Sequence, residues 1–216
     1  MSEDEIDSPS AIGFIRLAWE YADAARSLQD AKRTEQNPRA SYHPVGFLYC
    51  HAMELALKGM LLASDPTDDV ERHGHNLQSL YREVAASGST ASEVLMTTSE
   101  HVRQQWRLYH RGGAERRRGK LIQLFSQEEL YEIADIPTNA MIGEQLPKPR
   151  DQVAWLSQRH HRHGGTFRYL KLGNDNVPSS QLTSPNEVIP FFSAYLAVAY
   201  IHDQTKAGAF AQENED

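Results

Sequence analysis

The chain has 216 residues, 40% of them hydrophobic and 24% charged, with a formal charge of −7. That is the length of one ordinary domain and enough apolar material to fill a core. One cysteine, Cys50, excludes a disulfide framework.

Residues 1–9 are acidic, lack the basic start and apolar stretch of a signal peptide, and read as a disordered tail. Ser10 is placed to cap a helix from Ala11, where Ile12, Ile15, Trp19, Ala22 and Arg26 recur at three- and four-residue spacing. This helix is expected to reach about Lys32, and Asn37-Pro38 breaks it. A second helix starts near Tyr42 or Pro44 and runs to Ala63, apolar around most of its circumference, as the central helix of a bundle must be. Ser64-Asp65-Pro66 ends it. A third helix is expected from His75 to Ala86, then a turn at Ser87-Gly88-Ser89-Thr90. A fourth, from Ala91 to His110, sets Leu95, Val102, Trp106 and Tyr109 on one stripe.

Beyond residue 110 the periodicity fades. Arg111-Gly112-Gly113 is expected to open a basic loop, Leu121 to Phe125 reads as a strand or helical turn, and Ser126 starts a short helix to Ala134. Residues 111–150, punctuated by Pro137, Pro147 and Pro149, read as an insertion packed on the bundle. Asp151 is placed to cap a helix to about His163, stopped by Gly164-Gly165. Phe167-Arg168-Tyr169-Leu170 reads as extended. Ser184-Pro185-Asn186-Glu187 combines a cap, a first-turn proline and a glutamate three residues on, and so starts a last helix to Lys206. An acidic tail, 207–216, follows. The expected fold is therefore all-α, an up-and-down helix bundle in a single domain from 10 to 206. No stretch approaches the roughly 18 to 20 apolar residues of a membrane span, so a cytoplasmic protein without a membrane partner is expected.

Charge is unevenly spread. Residues 101–120 hold Arg103, Arg107, Arg111, Arg116, Arg117, Arg118 and Lys120 against Glu115, a window of +6 that leaves −13 for the rest of a chain of −7. The run Arg116-Arg117-Arg118-Gly119-Lys120 suits a phosphate backbone, with Trp106 and Tyr109 nearby as base-stacking surfaces. A solvated loop paired with acidic tails or a partner is the other reading of the same charges.

Glu54 and Lys58 lie one helical turn apart in the favourable order for an ion pair, with His51 three residues before Glu54 on the same side. They read either as a polar constellation for a nucleotide or phosphate, or as a satisfied pair fixing helix register. A His-x-x-Glu pair also builds di-metal sites in bundles. Neighbouring helices offer only Glu20, Asp23, Glu187 and His202, too few ligands, so no metal and no other cofactor is expected. His73-Gly74-His75 and Arg159-His160-His161-Arg162-His163 lack zinc spacing. The second cluster reads as cations at a helix C-terminus, and His75 as a residue capping or packing at the start of the third helix.

The segment Tyr49-Cys50-His51-Ala52-Met53-Glu54-Leu55-Ala56-Leu57-Lys58, followed by His75-Asn76-Leu77, resembles the HEPN helix-bundle family (higher eukaryotes and prokaryotes nucleotide-binding). That family carries a similar His-Ala-x-Glu-Leu-Ala-Leu-Lys helix and a His-Asp-Leu turn, with Asn76 here in place of Asp. The resemblance implies RNA or a nucleotide as ligand, a homodimer formed through the apolar last helix, and a role in bacterial stress or defence with a protein partner. Catalytic members are metal-independent ribonucleases with an Arg, four to six intervening residues and a His. Arg103 and His110 match that spacing, with Gln104 where the family favours Asn, Asp or His. Arg168-Tyr169 resembles an Arg-Tyr signature of some members. Three functions follow as expectations: a non-catalytic binding module for RNA, nucleotide or protein; an endoribonuclease using Arg103 and His110; or a structural interaction module without a nucleic-acid role.

Overall fold

The computed structural model of the chain describes residues 10–34, 43–122, 148–160 and 185–210. Among them are six α-helices and no strand: α1 (Ala11–Thr34), α2 (His43–Ser64), α3 (Leu77–Ala86), α4 (Thr90–Ile122), α5 (Pro149–His160) and α6 (Pro185–Lys206). A short 3-10 helix, Val70–His73, precedes α3. The fold is all-α.

α2 is the centre. Tyr49, Cys50, Ala52, Leu55, Ala56, Leu57, Leu61 and Leu62 are buried, and their positions go round the helix. Neighbouring helices cover it on several sides, so its apolar circumference has somewhere to go. By length and composition Pro44–Ser64 is apolar enough to cross a membrane, contrary to the expectation above; 83% of that window is buried inside the bundle, which accounts for its composition.

α1 packs on α2 in the opposite direction, since Gly59 meets Ala11 and Ile15 while the Tyr49 hydroxyl donates to Gln29 Oε1 at 2.9 Å. Small residues make the approach close: Ala18, Ala22 and Ala25 are fully buried on α1, and Gly59 on α2 meets the start of α1 at Ala11, Phe14 and Ile15. Burial pushes the Tyr49 phenol well above its usual range, so it serves as a neutral donor. α6 closes the other side of α1, with Trp19 stacked on His202 at 5.3 Å and tilted against Tyr195 at 5.9 Å. It also meets α4, where Trp106 Nε1 donates to Ser193 Oγ at 2.9 Å and His101 stacks on Tyr200 at 4.5 Å.

Helix ends follow local chemistry. Ser10 Oγ accepts from Gly13 N at 3.0 Å, the expected cap of α1. Pro185 begins α6, as expected. Several boundaries differ from the sequence reading. α3 starts at Leu77 rather than His75, because Asn76 is the cap and accepts from Ser79 N at 3.1 Å. α5 starts at Pro149, which leaves Asp151 in its first turn rather than at the cap. α4 does not stop at His110 but runs through Gly112-Gly113 to Ile122, so the basic segment is helical at least that far. The rest of the inferred insertion, 123–147, lies outside the described residues, as do the 161–184 segment and the 1–9 tail. At the other end the fold continues past Lys206. Ala209 N donates to Gln204 O at 3.0 Å through a turn with Gly208 at φ +89°, and Ala209 and Phe210 pack against the core.

Candidate functional site

The third to fifth turns of α2 carry three polar side chains, His51, Glu54 and Lys58, on a largely apolar helix. Glu54 is 2% exposed and Lys58 3% exposed. A charge in such a place must be paired and hydrogen-bonded. Lys58 Nζ lies 3.2 Å from Glu54 Oε1, the pair anticipated from the spacing, and 2.9 Å from Glu71 Oε1 on the 3-10 helix.

The other carboxylate oxygen, Oε2, draws imidazoles from three elements. His160, the last described residue of α5 and 1% exposed, donates from Nε2 at 2.8 Å. His75, in the link before α3, donates from Nδ1 at 2.9 Å. His51, one turn before Glu54 on α2, holds Nδ1 3.8 Å away. Burial alone would raise the Glu54 pKa; the facing imidazole groups of His160, His51 and His75 outweigh it and hold the carboxyl ionised far below the usual carboxylate range.

A second layer holds these donors in place. Phe47 stacks on His51 at 5.7 Å and Tyr21 meets it edge-on at 4.7 Å. The rings of His75 and His160 meet edge-on at 5.5 Å. Ser157 Oγ donates to Asn76 Oδ1 at 3.2 Å and accepts from Gln78 N at 3.2 Å, which fastens α5 to the start of α3.

The structure thus brings His51, Glu54, Lys58 and His75 together as the sequence suggested, and adds His160 and Glu71, which the sequence did not. His160 ends α5 but is not turned to solvent: it is 1% exposed and lies against a carboxylate. No local spacing announced it, since the partner lies 106 residues away.

The remaining predicted residues are elsewhere. Arg103 lines an apolar cavity with Met53, Leu95, Val102, Leu156 and Ala197, whereas the His110 ring sits 5.6 Å from that of Trp106. No hydrogen bond or ion pair joins Arg103 to His110 among the described residues. Arg107 pairs with Glu100 at 3.0 Å. Trp106 is 4% exposed with its indole N–H bonded, so it offers no stacking face, a correction to the sequence reading; Tyr109, 56% exposed, does. Arg116, Arg117, Arg118 and Lys120 follow on the last turns of α4, with their side chains outside the described part. Arg168 and Tyr169 lie outside the described residues altogether.

Comparison with family models, with curated proteins and with solved structures gave no match.

The depressed Glu54 pKa carries a pH dependence. The folded chain binds this proton more weakly than the unfolded chain, so the stabilisation is complete above the ordinary value of about 4.5 and fades as pH falls below it. The wild-type urea midpoint is therefore expected to fall steeply from pH 5 to pH 3. In Glu54→Gln the fall should be shallower over the same interval; equal slopes would remove this carboxylate as the cause.

Proposed function

We propose that the chain is a HEPN-like helical module that binds RNA along α4 without cleaving it. The observation that carries the reading is the continuity of α4. A helix of 33 residues spans about 50 Å. Arg103, Arg107, Arg111, Arg116, Arg117, Arg118 and Lys120 all belong to it, so the +6 window is a rod of positive charge rather than a loop. Exposed Tyr109 on the same helix supplies an aromatic face on which a base can stack. The buried Glu54–Lys58 pair followed by His75 supports the HEPN-like assignment, with the polar cluster at the centre of the bundle and the RNA face on its flank.

The test is fluorescence anisotropy of a labelled single-stranded RNA against KCl concentration. Three phosphate contacts by Arg103, Arg107 and Arg111 predict that log K falls by about 2 per decade of salt, and each Arg→Gln variant should reduce that slope by about 0.7. Absence of binding, or binding indifferent to salt and to these variants, would leave a protein-interaction module as the reading. The same RNA incubated in excess EDTA is expected to stay intact. Cleavage that Arg103→Ala abolishes would replace this proposal with a metal-independent ribonuclease, His110 acting as the acid or base and Arg103 stabilising the phosphorane.

A further inference from the structure

Glu54 has more nitrogen around it than hydrogen bonding requires. Oε1 is occupied by Lys58, and Oε2 already accepts from His75 and His160. An oxygen with two lone pairs is then satisfied. Yet His51 Nδ1 points at the same oxygen from 3.8 Å, too far for a hydrogen bond, with its ring held between Phe47 and Tyr21. Hydrogen bonding gives no account of the third imidazole.

Metal coordination does. A tetrahedral ion with bonds of about 2.0–2.2 Å sets its ligand atoms about 3.3 Å apart. The separations from Glu54 Oε2 to the His160 and His51 nitrogens are 2.8 and 3.8 Å, on both sides of that value. The donor atoms of His51, Glu54 and His160 all lie within 4.8 Å of one another.

We propose that His51, Glu54 and His160 bind a divalent transition-metal ion, zinc foremost, with the fourth position left to water. Two imidazoles and one carboxylate favour zinc, cobalt or nickel over magnesium or calcium, which prefer all-oxygen shells. Neutral imidazoles present their lone pairs by moving the proton to the opposite ring nitrogen, so binding needs no net loss of protons from the rings. Lys58 stays on Oε1 and keeps the carboxylate monodentate. With Glu71 it leaves the cluster at −1, which favours a dication. Solvent reaches the cluster from the side of His75, 37% exposed, and His51, 25% exposed, while Glu54 and His160 form its floor. The site does not depend on the RNA-binding proposal, since it lies in the core and not on the charged length of α4.

The experiment is a Co2+ titration of the full chain after EDTA treatment and exhaustive dialysis, followed by displacement with Zn2+. One equivalent of Co2+ with a visible tetrahedral absorption band, bleached by one equivalent of Zn2+, is the expected result. His51→Ala is the decisive variant, because His51 makes no hydrogen bond to the carboxylate and its loss should leave the circular dichroism unchanged. Loss of this ligand should weaken binding by more than the roughly 10- to 100-fold typical of outer-shell changes. His51→Gln, which keeps bulk between Phe47 and Tyr21 but removes the imidazole, should do the same and serves if the first variant does not fold. Absence of stoichiometric uptake by wild type overturns the site. So does undiminished uptake in a folded His51→Ala or His51→Gln variant, which would mean adventitious binding by other histidines.

Discussion

Glu54→Leu is expected to destabilise the fold by about 3–5 kcal/mol, the range for removing one partner of a buried ion pair. Leucine is close to glutamate in size, so the largest change is the loss of the charge. Lys58, 3% exposed, would keep only Glu71, whose side chain is 72% exposed, and His160 would keep its place in the core without its acceptor. Against a total stability of about 5–15 kcal/mol this is a large fraction. Urea denaturation at pH 7 measures it. The companion variant Glu54→Leu with Lys58→Met separates charge from packing. If uncompensated charge is the cause, the double variant should recover stability relative to Glu54→Leu alone. A double variant no better than the single one would place the loss in packing instead.

Gly59→Leu is the second large effect. A Cβ at this position would lie 2.7 Å from Ile15 Cγ1, 2.8 Å from the Ala11 carbonyl oxygen and 3.1 Å from Phe14 Cβ. The middle contact is with backbone, which cannot turn aside as a side chain can. Two opposing magnitudes decide the sign even for Gly59→Ala: helix propensity favours alanine by about 1 kcal/mol, whereas overpacking costs about 1–3 kcal/mol. Alanine should therefore be neutral to destabilising. Leucine should reach the top of that range or beyond, and lower the melting temperature by roughly 6–12 °C at about 2–4 °C per kcal/mol. A leucine variant that melts at or above the wild-type temperature would show that α1 and α2 have room to separate.

The sequence was most legible where a signal is local. The serine caps α1 as its position suggests, α2 is the central helix its apolar circumference demands, and Pro185 opens α6. Glu54 and Lys58 pair at the spacing of one turn. Legibility failed in two physical circumstances. The first is a helix crossing residues usually read as breakers. Gly112-Gly113 suggested a loop, but the flanking Arg, Ala and Glu are good helix formers, and a glycine costs only about 1 kcal/mol relative to alanine. The second is a contact between distant parts of the chain. The partners of Glu54 could not be read from α2, because His160 arrives from α5 and His75 from the link before α3. Trp106 shows the same limit, since its partner Ser193 lies 87 residues away and turns a candidate stacking surface into core.

The span of the Glu54–His160 contact bears on how the molecule assembles. α1 meets α2 across the connection 35–42, while His160 reaches Glu54 only after a loop of 106 residues has closed. The entropy of closing a loop grows only with the logarithm of its length, so the equilibrium is little affected. The order of events is affected more, because contacts distant in sequence are slow to form. α1 and α2 can zip together early and leave Glu54 facing a gap, with a charged group wet until α5 docks. Docking then dries the carboxylate and supplies its donor in one step. α5 is thereby the helix that the buried charge most requires, and a chain with α5 undocked keeps a visible defect at its centre.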